Sequence, residues 1–177
     1  MQITFIRHLP TQWNEKTWLQ GRRDIGLSPI TEIFQEGINH NQQLLKMLIP
    51  FDLVLASTLK RTHQTAHLYG YQAETEALLD ELDFGPFEGR TKEKLHEEYG
   101  EKWIENPKEL VLGESIMNLE ERIKLFLDKY KEANNVLVFG HGSWIRAIVS
   151  YIQYGHINKM NQITVANNEC ITLPFEF

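Results

Sequence analysis

Short apolar runs alternate with longer segments of helical period along the chain. The runs "ITFI" (3–6), "DLVLAS" (52–57) and "VLVFGH" (136–141) are dominated by apolar residues, which is typical of strands that helices cover on both faces. Strands and helices that alternate in this order favour parallel neighbours joined by right-handed crossovers. The pattern predicts an α/β fold, a three-layer sandwich with a mostly parallel central sheet and helices on both faces.

Five helices are predicted between and after these strands. The first begins near Thr31 and ends before Pro50, because proline cannot continue a helix. The others are expected over about 59–69, 91–99 and 115–130 and from Gly142 onward. The C-terminal stretch "QITVANNECITLPFEF" contains two strand-like runs, which predict a terminal hairpin or a pair of edge strands.

Composition and charge limit the class of protein. The chain has 177 residues, of which 42% are hydrophobic and 24% charged, so a single domain over 1–177 with a sizeable core is expected. The net charge of -6 and the dispersed basic residues argue against a nucleic-acid partner. Cys170 stands alone, and no apolar run approaches the roughly 18 to 20 residues that span a bilayer. We therefore expect a cytoplasmic protein with no membrane partner.

Polar side chains follow the predicted strands. Arg7 and His8 follow the first strand, Arg61 lies four residues past Ser57 after the second, and His141 ends the third. Ligands of α/β sheets bind at the carboxyl ends of the strands, so we expect these side chains to meet. Guanidinium groups fit phosphate oxygens, while imidazoles can attack phosphorus or donate hydrogen bonds. The set predicts a small phosphate pocket rather than a metal site.

Several motifs occur around these residues in a fixed order. They are "RHLPTQWN" (7–14), "QGRRDIGL" (20–27), "STLKRTHQTA" (57–66), "LDELDFGPFEG" (79–89), "GES" (113–115) and "GHGSWIR" (140–146). The chain resembles the histidine phosphatase superfamily, the phosphoglycerate mutase-like proteins, from residue 3 to about residue 148. The short segment from Gly89 to Gly113 is similar to the compact phosphatase branch, which includes α-ribazole phosphatase and broad-specificity members.

The resemblance implies a reaction and a role for each motif residue. His8 would attack the phosphoryl group of a small phosphorylated metabolite, and water would hydrolyse the phosphohistidine. Arg7, Arg61 and His141 would stabilise the transferring oxygens. Glu81 would protonate the leaving group and later accept a proton from water. No metal or cofactor is implied. The implied phosphate- or substrate-binding residues are Arg7, Thr11, Asn14, Gln20, Gly21, Arg61, His141 and Gly142.

Leu9 stands where the family has glycine. Either its side chain lies in an ordinary conformation toward the substrate or the core, or it obstructs the pocket. The retained phosphate-binding side chains favour a working pocket. Two other functions stay open: a mutase that returns the phosphoryl group to its substrate, and a non-catalytic phospho-ligand binding protein, which an obstructing Leu9 would favour.

Smaller questions concern neighbouring residues. Asp83 and Glu88 are rivals of Glu81 for the acid role, and the motif spacing favours Glu81. His63 and His67 lie four residues apart on a predicted helix, the spacing of a metal pair, but no third ligand accompanies them. A small cap-like insertion is expected around 90–113, and the apolar C-terminal edge would suit a homodimer.

Overall fold

A five-stranded sheet forms the middle of the protein, which the computed structural model describes over residues 1–176. The strand order is β3-β2-β4-β1-β5. All neighbours are parallel except β5, which pairs antiparallel with β1. The mostly parallel α/β sheet that the sequence predicts is confirmed. The strands are β1 (Gln2–Arg7), β2 (Leu53–Ala56), β3 (Glu74–Thr75), β4 (Asn135–Gly140) and β5 (Cys170–Pro174).

Helices flank the sheet and include the five that the sequence predicts, now α2, α3, α4, α6 and α7. Thr31 accepts the amide hydrogen of Phe34 at the start of α2, and Ser115 accepts that of Asn118 at the start of α6. The one-turn helices α1 and α5 are too short to show a period in the sequence. The helices in residues 1–176 are α1 (Gln12–Glu15), α2 (Glu32–Lys46), α3 (Lys60–Leu68), α4 (Glu93–Tyr99), α5 (Glu101–Glu105), α6 (Ile116–Lys129) and α7 (Gly142–Tyr154).

The two faces of the sheet bury separate cores. Successive strand side chains point to opposite faces, so Phe5 packs on one side, where its ring centroid lies 6.0 Å from that of Trp144 of α7. Ile6 packs on the other side, in a cluster with Ile38 and Leu45 of α2. Each core lies between the sheet and a helical layer, which gives the predicted three layers.

The prediction of a C-terminal hairpin or a pair of edge strands is wrong for the first of its two strands. Within 161–176, only Cys170–Pro174 forms a strand, at the edge of the sheet, and the preceding residues form a loop across the carboxyl end of β1. The Arg7 amide donates to the Glu169 carbonyl at 3.1 Å, and the Asn168 amide donates to the Arg7 carbonyl at 3.0 Å. The residues that look like a first hairpin strand are therefore used to hold the end of β1. Among the helices of residues 1–176, none is long and apolar enough to cross a membrane.

Candidate active site

The carboxyl ends of β1 and β4 bring two histidines together. These strands are parallel neighbours in which Arg7 pairs with Gly140, and the His8 amide donates to the Gly140 carbonyl at 2.9 Å. The next residue on each strand is a histidine. The ring centroids of His8 and His141 consequently lie 5.3 Å apart, and both side chains are buried.

His8 is held in the form of a nitrogen nucleophile. Its Nδ1 lies 2.7 Å from the Leu9 carbonyl oxygen, which can only accept, so Nδ1 carries the hydrogen and the neutral ring has its lone pair on Nε2. Burial, followed by the charges of Arg61 and Arg7, lowers the pKa of His8 well below its usual value. The ring therefore stays neutral at physiological pH.

His141 has one engaged nitrogen and one free nitrogen. Nε2 lies 2.7 Å from the Ser57 hydroxyl, and Nδ1 is buried with no hydrogen-bond partner among residues 1–176. Burial, followed by Arg61 and His8, lowers the pKa of His141 well below its usual value. When the Ser57 hydroxyl donates to Nε2, the neutral ring carries its hydrogen on Nδ1. That hydrogen can then be donated to an anion.

Backbone carbonyls fix two arginines beside the histidines. Arg61 donates to the carbonyls of Gly21 at 2.8 Å and Arg23 at 2.6 Å, and Arg7 donates to that of Val165 at 2.6 Å. The Nε atoms of both arginines are buried without a partner in the described chain. Burial above all lowers the pKa of each guanidinium to about 10, so both are charged at neutral pH. The pair is suited to an anion with several oxygens.

Two glycines make room for these groups. A Cβ atom on Gly142 would lie 3.0 Å from Cζ of Arg7. Gly21 has a φ of +53°, and a Cβ atom there would lie 2.2 Å from Oε1 of Glu88. A side chain at either position would displace a charged group of the site or its support.

Thr11 supports the site from behind. Its hydroxyl donates to Oε1 of Gln20 at 2.7 Å, and its amide donates to Oδ1 of Asn14 at 3.0 Å. Both amide oxygens thus face Thr11, which leaves the NH₂ groups of Asn14 and Gln20 as donors, and both residues line the cavity. Thr11 itself does not line the cavity, so the structure gives it a positioning contact where the sequence predicts a binding residue.

Glu81 is the acidic side chain that lines the cavity. Its carboxylate accepts the amide hydrogens of Ser143 and Trp144, each at 3.0 Å, at the beginning of α7. The Glu81 carbonyl accepts from Nε of Arg22 at 2.6 Å. The backbone and the carboxylate of Glu81 are therefore both held in place.

The two rivals of Glu81 have other contacts. The Asp83 carboxylate accepts the Gly85 amide hydrogen at 2.8 Å inside its own loop. Glu88 accepts the Arg22 amide hydrogen at 2.8 Å and forms an ion pair with Arg23 at 3.2 Å. Neither lines the cavity, so of the three acids the structure places only Glu81 beside His8 in the cavity lining.

Leu9 does not obstruct the cavity. Its side chain is fully buried in the core on the α2 side of the sheet, and its amide donates to the Thr65 hydroxyl at 3.0 Å. The only non-glycine residues with positive φ among residues 1–176 are Thr17 and Asn168, so Leu9 needs no torsion reserved for glycine. Leucine can occupy the position of the family's glycine because its side chain points into the core and away from the cavity.

The cavity has a volume of about 150 Å³. Eight of the ten predicted residues line it, while Thr11 and His141 are not among the lining residues: the eight are Arg7, His8, Asn14, Gln20, Gly21, Arg61, Glu81 and Gly142. Sequence reasoning missed Lys92, Arg146 and Asn161 as lining residues. Arg146 closes the "GHGSWIR" motif and could have been found there, whereas Lys92 and Asn161 come from distant segments with no local signal.

The helix α3 histidines do not form a metal site. Nε2 of His63 lies 3.2 Å from the Thr75 hydroxyl. Within residues 1–176, no group of three or more His, Cys, Asp or Glu side chains is arranged to hold a metal ion.

Buried arginines and neutral histidines at the carboxyl ends of parallel strands define a phosphate-handling α/β protein. The family model of the histidine phosphatase superfamily (branch 1) matches residues 3–176. The chain belongs to this superfamily, and the phosphatase class that its motifs predict is confirmed at the level of the family.

Relatives carry two kinds of name. A 2,3-bisphosphoglycerate-dependent phosphoglycerate mutase of Cytophaga hutchinsonii is 26% identical over 190 residues, which cover 96% of this chain and 83% of the relative. Phosphoserine phosphatase 1 of Hydrogenobacter thermophilus is 27% identical over 162 residues, which cover 84% of this chain and 74% of the relative. The solved α-ribazole phosphatase of Shigella flexneri has a TM-score of 0.78 at 23% identity, covering 99% of this chain and 91% of that one. This last likeness shows the shared fold.

Proposed function

We propose that the protein hydrolyses small phosphomonoesters through a phosphohistidine on His8. The observation that carries the proposal is the neutral, buried His8 ring, whose Nδ1 is bound to the Leu9 carbonyl. The charges of Arg61 and Arg7 both act on this ring, and both guanidinium groups line the same cavity as His8. A nucleophile beside preorganised cations is the arrangement that phosphoryl transfer requires.

In the first step, Nε2 of His8 forms a bond to phosphorus and the bond from phosphorus to the leaving oxygen breaks. Arg7, Arg61 and Nδ1–H of His141 stabilise the three equatorial oxygens. Glu81 gives its proton to the departing alkoxide. Phosphorylation makes the His8 ring cationic, and the Nδ1–H bond to the Leu9 carbonyl, 2.7 Å long, stabilises that charge.

In the second step, water attacks phosphorus and the bond to Nε2 breaks. Glu81 takes a proton from this water, which restores its acid form. Inorganic phosphate leaves, and the His8 ring returns to its neutral state. Asn14 and Gln20 line the cavity, and their NH₂ groups, left free by the contacts of the amide oxygens with Thr11, are suited to hold phosphate oxygens in both steps.

The mutase function is the second candidate, because relatives of comparable similarity are named phosphoglycerate mutases. Both functions share the first step and differ in what accepts the phosphoryl group. A phosphatase releases inorganic phosphate without a primer, whereas a mutase isomerises phosphoglycerate and depends on a bisphosphorylated primer. The short segment between Gly89 and Gly113, which contains α4 and α5, supports the phosphatase.

Hydrolysis of p-nitrophenyl phosphate in the presence of a chelator tests the proposal. The wild-type protein should turn over, the His8→Ala variant should show no turnover above background, and wild type denatured in alkali, in which a phosphohistidine is stable, should retain label from a ³²P-labelled substrate. His96→Ala is the matched control, since His96 is exposed on α4. Full turnover by His8→Ala would refute the phosphohistidine route.

A further inference from the structure

We propose that Glu114 and Arg122 hold the backbone on both sides of Glu81 and thereby aim its carboxyl group at the leaving oxygen. The inference rests on the proposed phosphatase function, in which Glu81 is the general acid. Neither Glu114 nor Arg122 lines the cavity. Both are therefore positioning residues that act through residues 78–83, here called the Glu81 segment.

The Glu81 segment needs support from neighbouring elements. A single turn of 3-10 helix, Ala77–Leu79, leads into it, and residues 80–83 belong to no helix or strand. No regular ladder of hydrogen bonds therefore fixes the direction of Glu81. A displacement of about 1 Å can reduce the rate of a positioned reaction roughly a hundredfold, so contacts from outside the segment must set the place of this carboxyl group.

Arg122 holds the Glu81 segment on the side before Glu81. Its Nη1 donates to the carbonyls of Leu78 at 2.7 Å and Asp80 at 2.9 Å. Arg122 lies on α6, which is anchored in the core by side chains such as the fully buried Leu119. A rigid helix thus reaches the carbonyl that directly precedes Glu81.

Glu114 holds the segment on the side after Glu81 and joins it to Arg122. Its carboxylate accepts the Asp83 amide hydrogen at 3.1 Å. The same carboxylate accepts from Nε of Arg122 at 3.0 Å and from Nη2 at 2.9 Å, and such a double contact fixes direction as well as distance. Arg22, which donates to the Glu81 carbonyl, lies 3.4 Å from it as well. The pair therefore bridges the two flanks of Glu81.

One planar guanidinium makes both sets of contacts of Arg122. Nη1 binds the Glu81 segment while Nε and Nη2 bind Glu114, which a lysine could not do at once. Burying an ion pair costs desolvation that its attraction barely offsets, and apolar residues of similar volume often stabilise a fold as well. Geometry therefore explains the pair better than stability does. Burial raises the pKa of Glu114, but its contacts, with Arg122 foremost, lower it by more, so the pair is ionised at neutral pH.

Leaving groups of different basicity test the inference. Phenyl phosphate needs a general acid because its phenolate is basic, whereas 2,4-dinitrophenyl phosphate releases a stable phenolate without one. The measured quantity is the ratio of kcat/KM for phenyl phosphate to kcat/KM for 2,4-dinitrophenyl phosphate. Glu81→Gln should lower this ratio about a hundredfold, and Glu114→Gln and Arg122→Lys should each lower it about tenfold or more. A purely structural role would lower kcat/KM for both substrates by the same factor.

Glu120→Gln is the matched control. Glu120 is a buried carboxylate of the same helix, and its partners, Lys108 at 2.8 Å and the Ile157 amide at 3.1 Å, lie outside the Glu81 segment. This variant should lose stability and keep the wild-type ratio. In a Glu81→Gln background, Arg122→Lys should lower the ratio no further, because the arginine acts through Glu81.

Hydrogen exchange separates the inference from the proposed function. The Ser143 and Trp144 amides donate to the Glu81 carboxylate. In Glu114→Gln and Arg122→Lys, both amides should exchange about tenfold faster relative to the core amides of β4. A wild-type ratio in both variants, with a lowered ratio in Glu81→Gln, would overturn the positioning role and leave the phosphatase standing. Faster exchange in a protein that hydrolyses no phosphate ester would support the positioning role and overturn the phosphatase.

Discussion

Acidification should destabilise the protein through its two buried histidines. His8 and His141 both have a pKa held well below the ordinary value of 6.5 by burial and by Arg61. The unfolded chain takes up a proton on each ring as the pH falls below that value, while the folded protein takes up its protons only at lower pH. The histidines therefore do not reduce the free energy of unfolding above about pH 6.5, and they reduce it increasingly as the pH decreases below that value.

The magnitude follows from the linkage between proton binding and folding. Each ring contributes up to about 1.4 kcal/mol per pH unit below its unfolded pKa, so a decrease to pH 5 costs up to about 2 kcal/mol for each histidine and up to about 4 kcal/mol for both. Burial raises the pKa values of Glu114 and Glu120, but the other contacts of each carboxylate, including those with a basic partner, lower its pKa by more. Their contribution is lost only below about pH 4.5, outside this window.

Urea unfolding at pH 8 and pH 5, in buffers free of phosphate, measures the effect. We expect His8→Gln to reduce the loss of unfolding free energy between the two pH values by about 2 kcal/mol relative to wild type. His96→Gln, at an exposed position, serves as the control and should lose as much as wild type. If His8→Gln also loses as much as wild type, the folded protein must bind the proton that we exclude.

Two further predictions concern positions beside His8. Gly142→Ala places a Cβ atom 3.0 Å from Cζ of Arg7, so kcat/KM for p-nitrophenyl phosphate should fall about tenfold or more with little change in Tm; an unchanged kcat/KM would contradict the close approach. Leu9→Gly removes a fully buried side chain and should lower the unfolding free energy in urea by about 3 kcal/mol or more. A rise in its kcat would mean that Leu9 obstructs the cavity after all.

The main elements could be predicted because their signals are local. The runs that became β1, β2 and β4 are apolar over consecutive residues, and the long helices have clear caps and a clear period. Strand β3 has only two residues, too few for a pattern. The false hairpin strand near residue 163 shows that β-branched residues fit a partly buried loop as well as a strand.

The placement of the candidate site residues could be predicted where side chains follow strand ends, and less so elsewhere. His8 and His141 meet because parallel register determines their positions. Lys92 comes from a loop between distant elements, and its position depends on tertiary packing that no local pattern encodes. The expected cytoplasmic location, the cap-like insertion, the homodimer and the lack of a nucleic-acid partner stay predictions from the sequence.

The loop before β5 makes the order of synthesis matter. Asn167 donates to the His8 carbonyl at 2.9 Å across a sequence separation of 159 residues, and β1 lies between β4 and β5 in the sheet. A ribosome releases β1 long before either neighbour, so the first strand has no partner while most of the chain emerges. The nucleophile can be set in place only when the last strand arrives, and a partly synthesised chain should have no phosphatase activity.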